Sequence, residues 1–170
     1  MCAVGCSGGP APVQHADLDG LSVDIPARWH YQADGFTGSM AQVFKYYSSA
    51  PLKAACSSFT TDNNETTTCG FPIVAMPPGG VLISWGTINY LRTLNGRLAN
   101  PNTSISGMAA KTTSERPGVC SAIGGDETIT VDIPLSPMGN PYEMIACVRG
   151  PGTTANETLI NAMLATVHIN

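Results

Sequence analysis

The chain alternates apolar and polar residues most clearly at Leu21, Val23 and Ile25, which are interleaved with Ser22 and Asp24. A period of two predicts a strand with one buried face. Pro26 then removes a ladder donor, so an edge or a bulge is expected there before Trp29 and Tyr31 resume the pattern. Gln42 to Tyr47 is a second predicted strand, carrying Phe44, Tyr46 and Tyr47. Phe71 to Met76 and Val81 to Ile88 are apolar runs on either side of Pro77-Pro78-Gly79-Gly80, which predicts a hairpin with Val81, Leu82, Ile83 and Trp85 at its centre. Residues 95–102 are turn-rich, and Ile105 to Thr113 reads as a further strand with small residues at Gly107, Ala109 and Ala110. Ile129, Val131 and Ile133 alternate cleanly with Thr128, Thr130 and Asp132, and Tyr142 to Arg149 follows as the partner strand.

The last segment changes period. Leu159, Ile160, Met163, Leu164 and Val167 fall on one face of a helix, a stripe that needs a sheet to cover it. Thr154 with Glu157 three residues on predicts a capping box, in which each side chain satisfies an amide left free in the first turn. Between the apolar runs, residues 57–68 are strongly polar and are expected to form a surface loop without regular structure. Val23-Asp24-Ile25-Pro26 recurs as Val131-Asp132-Ile133-Pro134, but the flanking residues do not extend the match, so two strands with the same solution are expected and no internal duplication.

At 170 residues with no composition shift, the chain fits a single domain able to bury roughly 68–70% of its unfolded surface. Only 12% of residues are charged, the net charge is −4, and no Lys/Arg run occurs, so nucleic-acid binding is not expected. No run of eighteen apolar residues predicts a transmembrane helix. Cys56, Cys69, Cys120 and Cys147 form an even set inside the domain, which argues for two disulfides in an exported chain. Three pairings are open; Cys56–Cys69 and Cys120–Cys147 are favoured because each pair brackets a local unit.

The N-terminal residues supply an address. Ala3-Val4-Gly5-Cys6 reads like the end of a bacterial lipoprotein signal, with small residues before the cysteine and a Gly-, Ser- and Pro-rich stretch after it suited to a flexible tether. Cys6 is then the expected lipidation site, with residues 1–16 as signal remnant and tether and residues 17–170 as one extracytoplasmic domain. No basic or apolar signal region lies ahead of Cys6 here, so this reading takes the chain to start inside the signal or near the processing site; the alternative is an ordinary tail with two incidental cysteines.

Candidate chemistry is sparse. No C-x-x-C spacing occurs and His15, His30 and His168 are scattered, so no metal site and no cofactor are expected. Ser39 follows Gly38 with His30 upstream, but the nucleophile-elbow pattern is absent. Asp126-Glu127 are adjacent, so as strand neighbours they splay apart and read as a turn, not as a carboxylate pair across a cleft. Asp17-Leu18-Asp19-Gly20 has its glycine too early for a calcium loop and reads as a loop into the first strand. Asn64, Asn102 and Asn156 head N-x-S/T triplets that are coincidental in a bacterial chain.

Two stretches carry a family resemblance. Ile25-Pro26-Ala27-Arg28-Trp29-His30 is similar to the opening of PsbP-like domains, and Met163-Leu164-Ala165-Thr166-Val167 resembles their closing helix. Gly79-Gly80-Val81-Leu82-Ile83-Ser84-Trp85 and Ala146-Cys147-Val148-Arg149-Gly150-Pro151 look like small secreted lipoproteins of high-GC Gram-positive bacteria. Over residues 18–168 the resemblance implies an α+β fold, an antiparallel β-sheet packed by a C-terminal α-helix, with no catalytic residues and a role in assembling larger complexes. The leading expectation is a non-enzymatic, lipid-anchored surface domain, its partner an unknown envelope protein or small ligand. Two other readings stay open: a small-molecule carrier lined by Trp29, Tyr31, Trp85 and methionines, and a serine hydrolase using Ser39 with His30.

Overall fold

The computed structural model describes residues 12–32, 41–61, 64–88, 98–134 and 140–170. Among these the chain is mostly antiparallel β-sheet with one C-terminal helix and two disulfides. The strands are β1 (Val13–Leu18), β2 (Leu21–Pro26), β3 (His30–Gln32), β4 (Ala41–Ser48), β5 (Cys56–Thr61), β6 (Asn64–Cys69), β7 (Val81–Ile88), β8 (Thr103–Ile105), β9 (Met108–Glu115), β10 (Glu127–Ile133), β11 (Tyr142–Val148) and β12 (His168–Ile169). A 3-10 helix spans Gly118–Ile123 and helix α1 spans Thr153–Leu164.

A seven-stranded sheet runs in the order β3-β4-β7-β11-β10-β9-β8, and a three-stranded sheet runs β1-β2-β12. Alternation sets what lies between them. Val81, Ile83 and Trp85 of β7, Ile129, Val131 and Ile133 of β10, and Tyr142, Met144, Ala146 and Val148 of β11 point to one face of the large sheet. Leu21, Val23 and Ile25 of β2 and Ile160, Met163, Leu164 and Val167 from the helical segment close that face, forming the main core. The repeated Val-Asp-Ile-Pro solution holds: Val23, Ile25, Val131 and Ile133 are each 0% exposed, on strands of different sheets.

The opposite face is covered only in part. A smaller cluster of Tyr46, Ala50, Ala55, Ile73, Met76 and Leu82 gathers there around Cys120 and Cys147. The Cys120–Cys147 bond pins the 3-10 helix to β11 across a sequence separation of 27, and Cys56–Cys69 closes the base of the β5–β6 hairpin across a separation of 13. Constraining loops of those lengths in the unfolded chain gives about 3.5 and about 3 kcal/mol respectively in the chain-entropy model. The pairing is the one favoured from sequence, and the second bond joins a helical turn to the far strand of the β10–β11 hairpin that it brackets.

Several expectations are corrected. Residues 13–16, assigned to the tether, are the first part of β1, whose register with β2 runs from Val13↔Pro26 to Leu18↔Leu21. Asp19 and Gly20 both have positive φ, 44° and 88°, the geometry of a two-residue hairpin turn that matches strand twist. Pro26 ends β2 where only β1 lies alongside, because β12 pairs with Leu21 and Ser22 alone; the expected edge therefore holds locally although β2 is the middle strand of its sheet, and the Pro26 carbonyl accepts from the Trp29 amide at 3.0 Å. Within residues 57–68, expected as an irregular loop, residues 57–61 and 64–68 belong to the paired strands β5 and β6, because threonine and serine populate extended backbone without any apolar alternation to announce it. Phe71 to Met76 is not a strand, so β7 has β4 and β11 as its neighbours. Ile105 to Thr113 is two strands, turned at Ser106 and Gly107 with φ of 50° and 79°.

The predicted helix forms with its predicted apolar face, but its cap differs. Gly152 is the N-cap residue and no side chain caps the helix. Glu157 turns instead toward Arg116 on the neighbouring loop, 3.4 Å away. The helix begins at Thr153, so Thr154 lies inside its first turn and Glu157 beyond it, and neither is placed to form the box.

Candidate functional site

Three concavities mark the described surface. The first, of about 490 Å³, lies on the uncovered part of the large sheet. Alternation makes its polarity: Lys111, Thr113 and Glu115 from β9, Thr128, Thr130 and Asp132 from β10, and Glu143 and Ile145 from β11 are the outward partners of the core residues described above. Register puts Lys111, Asp132 and Glu143 in one cross-strand row. The lining carries acids and hydroxyls with one amine, and contains no histidine or cysteine.

The other two concavities flank one residue. Tyr31 is 63% exposed on β3, the edge strand of the seven-stranded sheet, and stands opposite Tyr47 of β4. On one side a groove of about 330 Å³ is lined by Gln14, His15, Ala16 and Asp17 of β1 with Lys45 and Tyr47 of β4. It is the mouth between the two sheets, and the Lys45 ammonium spans it, donating to the Asp17 carbonyl at 3.1 Å. On the other side a groove of about 460 Å³ is lined by Trp29, His30, Gln32, Pro51 and Leu52. Tyr31 belongs to both.

Charges of both signs meet in the mouth. His15 Nδ1 lies 2.9 Å from Asp24 Oδ1, and His15 Nε2 lies 3.6 Å from Asp17 Oδ1. The hydrogen bond to Asp24 lifts the His15 pKa above its ordinary value, with the charges of Asp17 and Asp24 adding to it and its slight desolvation opposing. Desolvation, followed by the neighbouring Tyr31 and Asp17, pushes the Tyr47 phenol up to about 12, so it stays a neutral hydroxyl.

A separate ionic cluster joins the helix to the sheet. Glu127 opens β10 with its side chain 3% exposed; it accepts a hydrogen bond from the Ser114 hydroxyl and lies 3.1 Å from Arg116, which also reaches Glu157. Burial pushes the Glu127 carboxyl up, but hydrogen bonds from Ser114 and Glu157 and the Arg116 charge together hold it below the usual carboxylate range. Glu157 is shifted the other way, first by its hydrogen bond with Glu127 and then by burial and the Glu127 charge, with Arg116 opposing. A carboxylate so stabilised is a weak base, and the arrangement fastens β9, β10 and α1 together.

The sequence-predicted residues divide accordingly. Cys6 and Ser39 lie outside the described residues. His30 lines the larger groove beside Tyr31. Of the aromatics expected to line a ligand pocket, Trp29 and Tyr31 do meet at an open groove, whereas Trp85 is 1% exposed and sealed in the core with Met144. Asp126 and Glu127 do splay apart, but Glu127 belongs to a buried strand end and not to a turn; Asp126 accepts from the Gly150 amide at 2.8 Å. Asn102 and Asn156 spend their side-chain amides on the Thr112 and Gly79 carbonyls, at 2.8 and 3.3 Å. Among the described residues no cluster of metal-ligating side chains occurs, and no helix is long and apolar enough to cross a membrane. Sequence reading missed Gln14, His15, Asp17 and Lys45 as groove residues because it placed the first of them in a tether; the Asp19-Gly20 turn signal was the clue that a strand precedes it.

Comparison with protein-family models, curated proteins and solved structures returns no match.

Proposed function

We propose that this chain is a non-enzymatic, extracytoplasmic binding domain of the PsbP-like lipoprotein kind, held to a membrane through lipid on Cys6 and presenting the Tyr31 edge to an envelope component. The observation that carries the reading is the exposed tyrosine standing between two grooves on a disulfide-braced sheet. A large aromatic held at a rigid edge offers contact area at little entropic cost, and such residues dominate recognition surfaces. The paired cysteines favour an oxidising compartment. The carrier reading is weaker: a carrier encloses its ligand, and the residues that would have formed an enclosed pocket, Trp85 and Met144, are consumed by core packing.

Capture from native membranes tests this directly. Full-length protein bearing Tyr31→Ala should lose a stoichiometric envelope component that the wild type retains. Equal recovery by both, or by neither, contradicts the reading. Mass spectrometry of the protein expressed with its upstream sequence should find a diacylglyceryl group on Cys6; an unmodified thiol removes the anchor.

A further inference from the structure

The two grooves beside Tyr31 differ in character, and their combination restricts what fits. One is lined by Gln14, His15, Asp17, Lys45 and Tyr47; the other by Trp29, Pro51 and Leu52 together with His30 and Gln32. A ligand that occupies both must carry hydroxyl-rich edges and an apolar face within one small unit. The polar groove carries charges of both signs, Lys45 over the Asp17 carbonyl and His15 set between Asp17 and Asp24, so it favours neither an anion nor a cation over a neutral ligand. An added peptide strand fits poorly, because β3 is only three residues long and offers little ladder to extend. An acyl chain fits poorly as well, because both grooves are open to water.

A neutral carbohydrate satisfies all of these conditions. The axial C–H faces of a pyranose stack on the negative face of an aromatic ring, and its ring hydroxyls exchange hydrogen bonds with planar amide, imidazole and phenol groups. We propose that the Tyr31 edge is a binding site for a neutral oligosaccharide, with the Tyr31 ring as the stacking platform and successive sugar units seated in the groove on either side of it. This rests on the binding role proposed above and names the chemistry of its ligand.

The test is titration of the full chain with four uncharged probes, maltohexaose, chitohexaose, mannohexaose and xylohexaose, followed by calorimetry and by ring-proton NMR of Tyr31. At least one should bind saturably and move the Tyr31 ring resonances. Tyr31→Ala should weaken that binding by about tenfold, Tyr31→Phe should keep it within about threefold because the stacking face survives, and Thr130→Val on the far concavity should leave it unchanged. Near-ultraviolet circular dichroism confirms that each variant is folded. No saturable binding by any probe, no movement of the Tyr31 ring, or equal binding by Tyr31→Ala overturns the carbohydrate assignment. If Tyr31-dependent capture from membranes then yields a protein, the binding role stands and only the ligand class falls. If capture is also lost, both fall.

Discussion

The two faces of the seven-stranded sheet solve burial differently. One is closed by the three-stranded sheet and α1 around a continuous apolar core. The other is closed at one end only, by segments that carry fewer large apolar side chains and are fixed by the Cys120–Cys147 bond, by the Met76 amide donating to the Ile123 carbonyl at 2.8 Å, and by Arg149 donating to the Met76 carbonyl. Where apolar area suffices, packing is the main hold on the cover, with the Arg116 ion pairs added; where it does not, a covalent bond and backbone hydrogen bonds substitute. The grooves that flank Tyr31 lie at the β3 edge, clear of the sealed centre.

The sharpest way to break this contrast is to remove the covalent pin. Cys120→Ala with Cys147→Ala should cost about 3.5 kcal/mol in urea unfolding, within the 2–5 kcal/mol typical of a native disulfide. Hydrogen exchange in that variant should accelerate at residues 71–76 and 118–125 before it does in β1 and β2. Simultaneous acceleration everywhere would show that the two covers are one cooperative unit.

On the packed face, Ile160→Ala should cost about 3 kcal/mol, since the side chain is 1% exposed and leaves a cavity between helix and sheet. Tyr31→Ala, at a residue 63% exposed, should leave unfolding nearly unchanged, which separates binding from stability.

The carboxyl pair sets a pH dependence with opposed signs. Glu127 has a lowered folded pKa, so its contribution is present above the unfolded carboxyl value and is lost as pH falls through the folded one. Acid should therefore weaken the tie between α1 and the sheet. Glu157 has a raised folded pKa, so its contribution is present at acid pH and is lost as pH rises through that value. Glu157→Gln escapes that loss. Its stability should match the wild type near pH 3 and exceed it modestly at pH 7, as urea midpoints at the two pH values will report. The smallest expected effect is at the surface: Asp24→Asn should return the raised His15 pKa toward its ordinary value, read by NMR titration, with little change in unfolding.

Much of this fold was legible in the sequence because burial writes a pattern: alternation at β2 and β10, apolar or aromatic-rich runs at β4, β7 and β11, and the helical stripe of α1. Elements stayed hidden where burial did not write the pattern. The β5–β6 hairpin is built almost wholly of polar residues, and β8 and β9 ran together because Ser106-Gly107 was read as strand interior and not as a turn needing positive φ. The cap of α1 differs because the N-cap is Gly152, two residues ahead of the threonine expected there, which shifts Glu157 out of the first turn. The site was half visible. Trp29 and Tyr31 stood out as aromatics, but whether an aromatic is sealed or open depends on which strand lands at an edge, and that is decided by long-range pairing.

The most direct measurement is site-specific photocrosslinking in native cells producing the intact protein, with a benzophenone amino acid replacing Tyr31 in one sample and Thr130 in another. Position 31 should crosslink to an envelope component and position 130 should not. Crosslinks from position 130 alone, or equally from both, would contradict the assignment of the β3 edge as the binding surface.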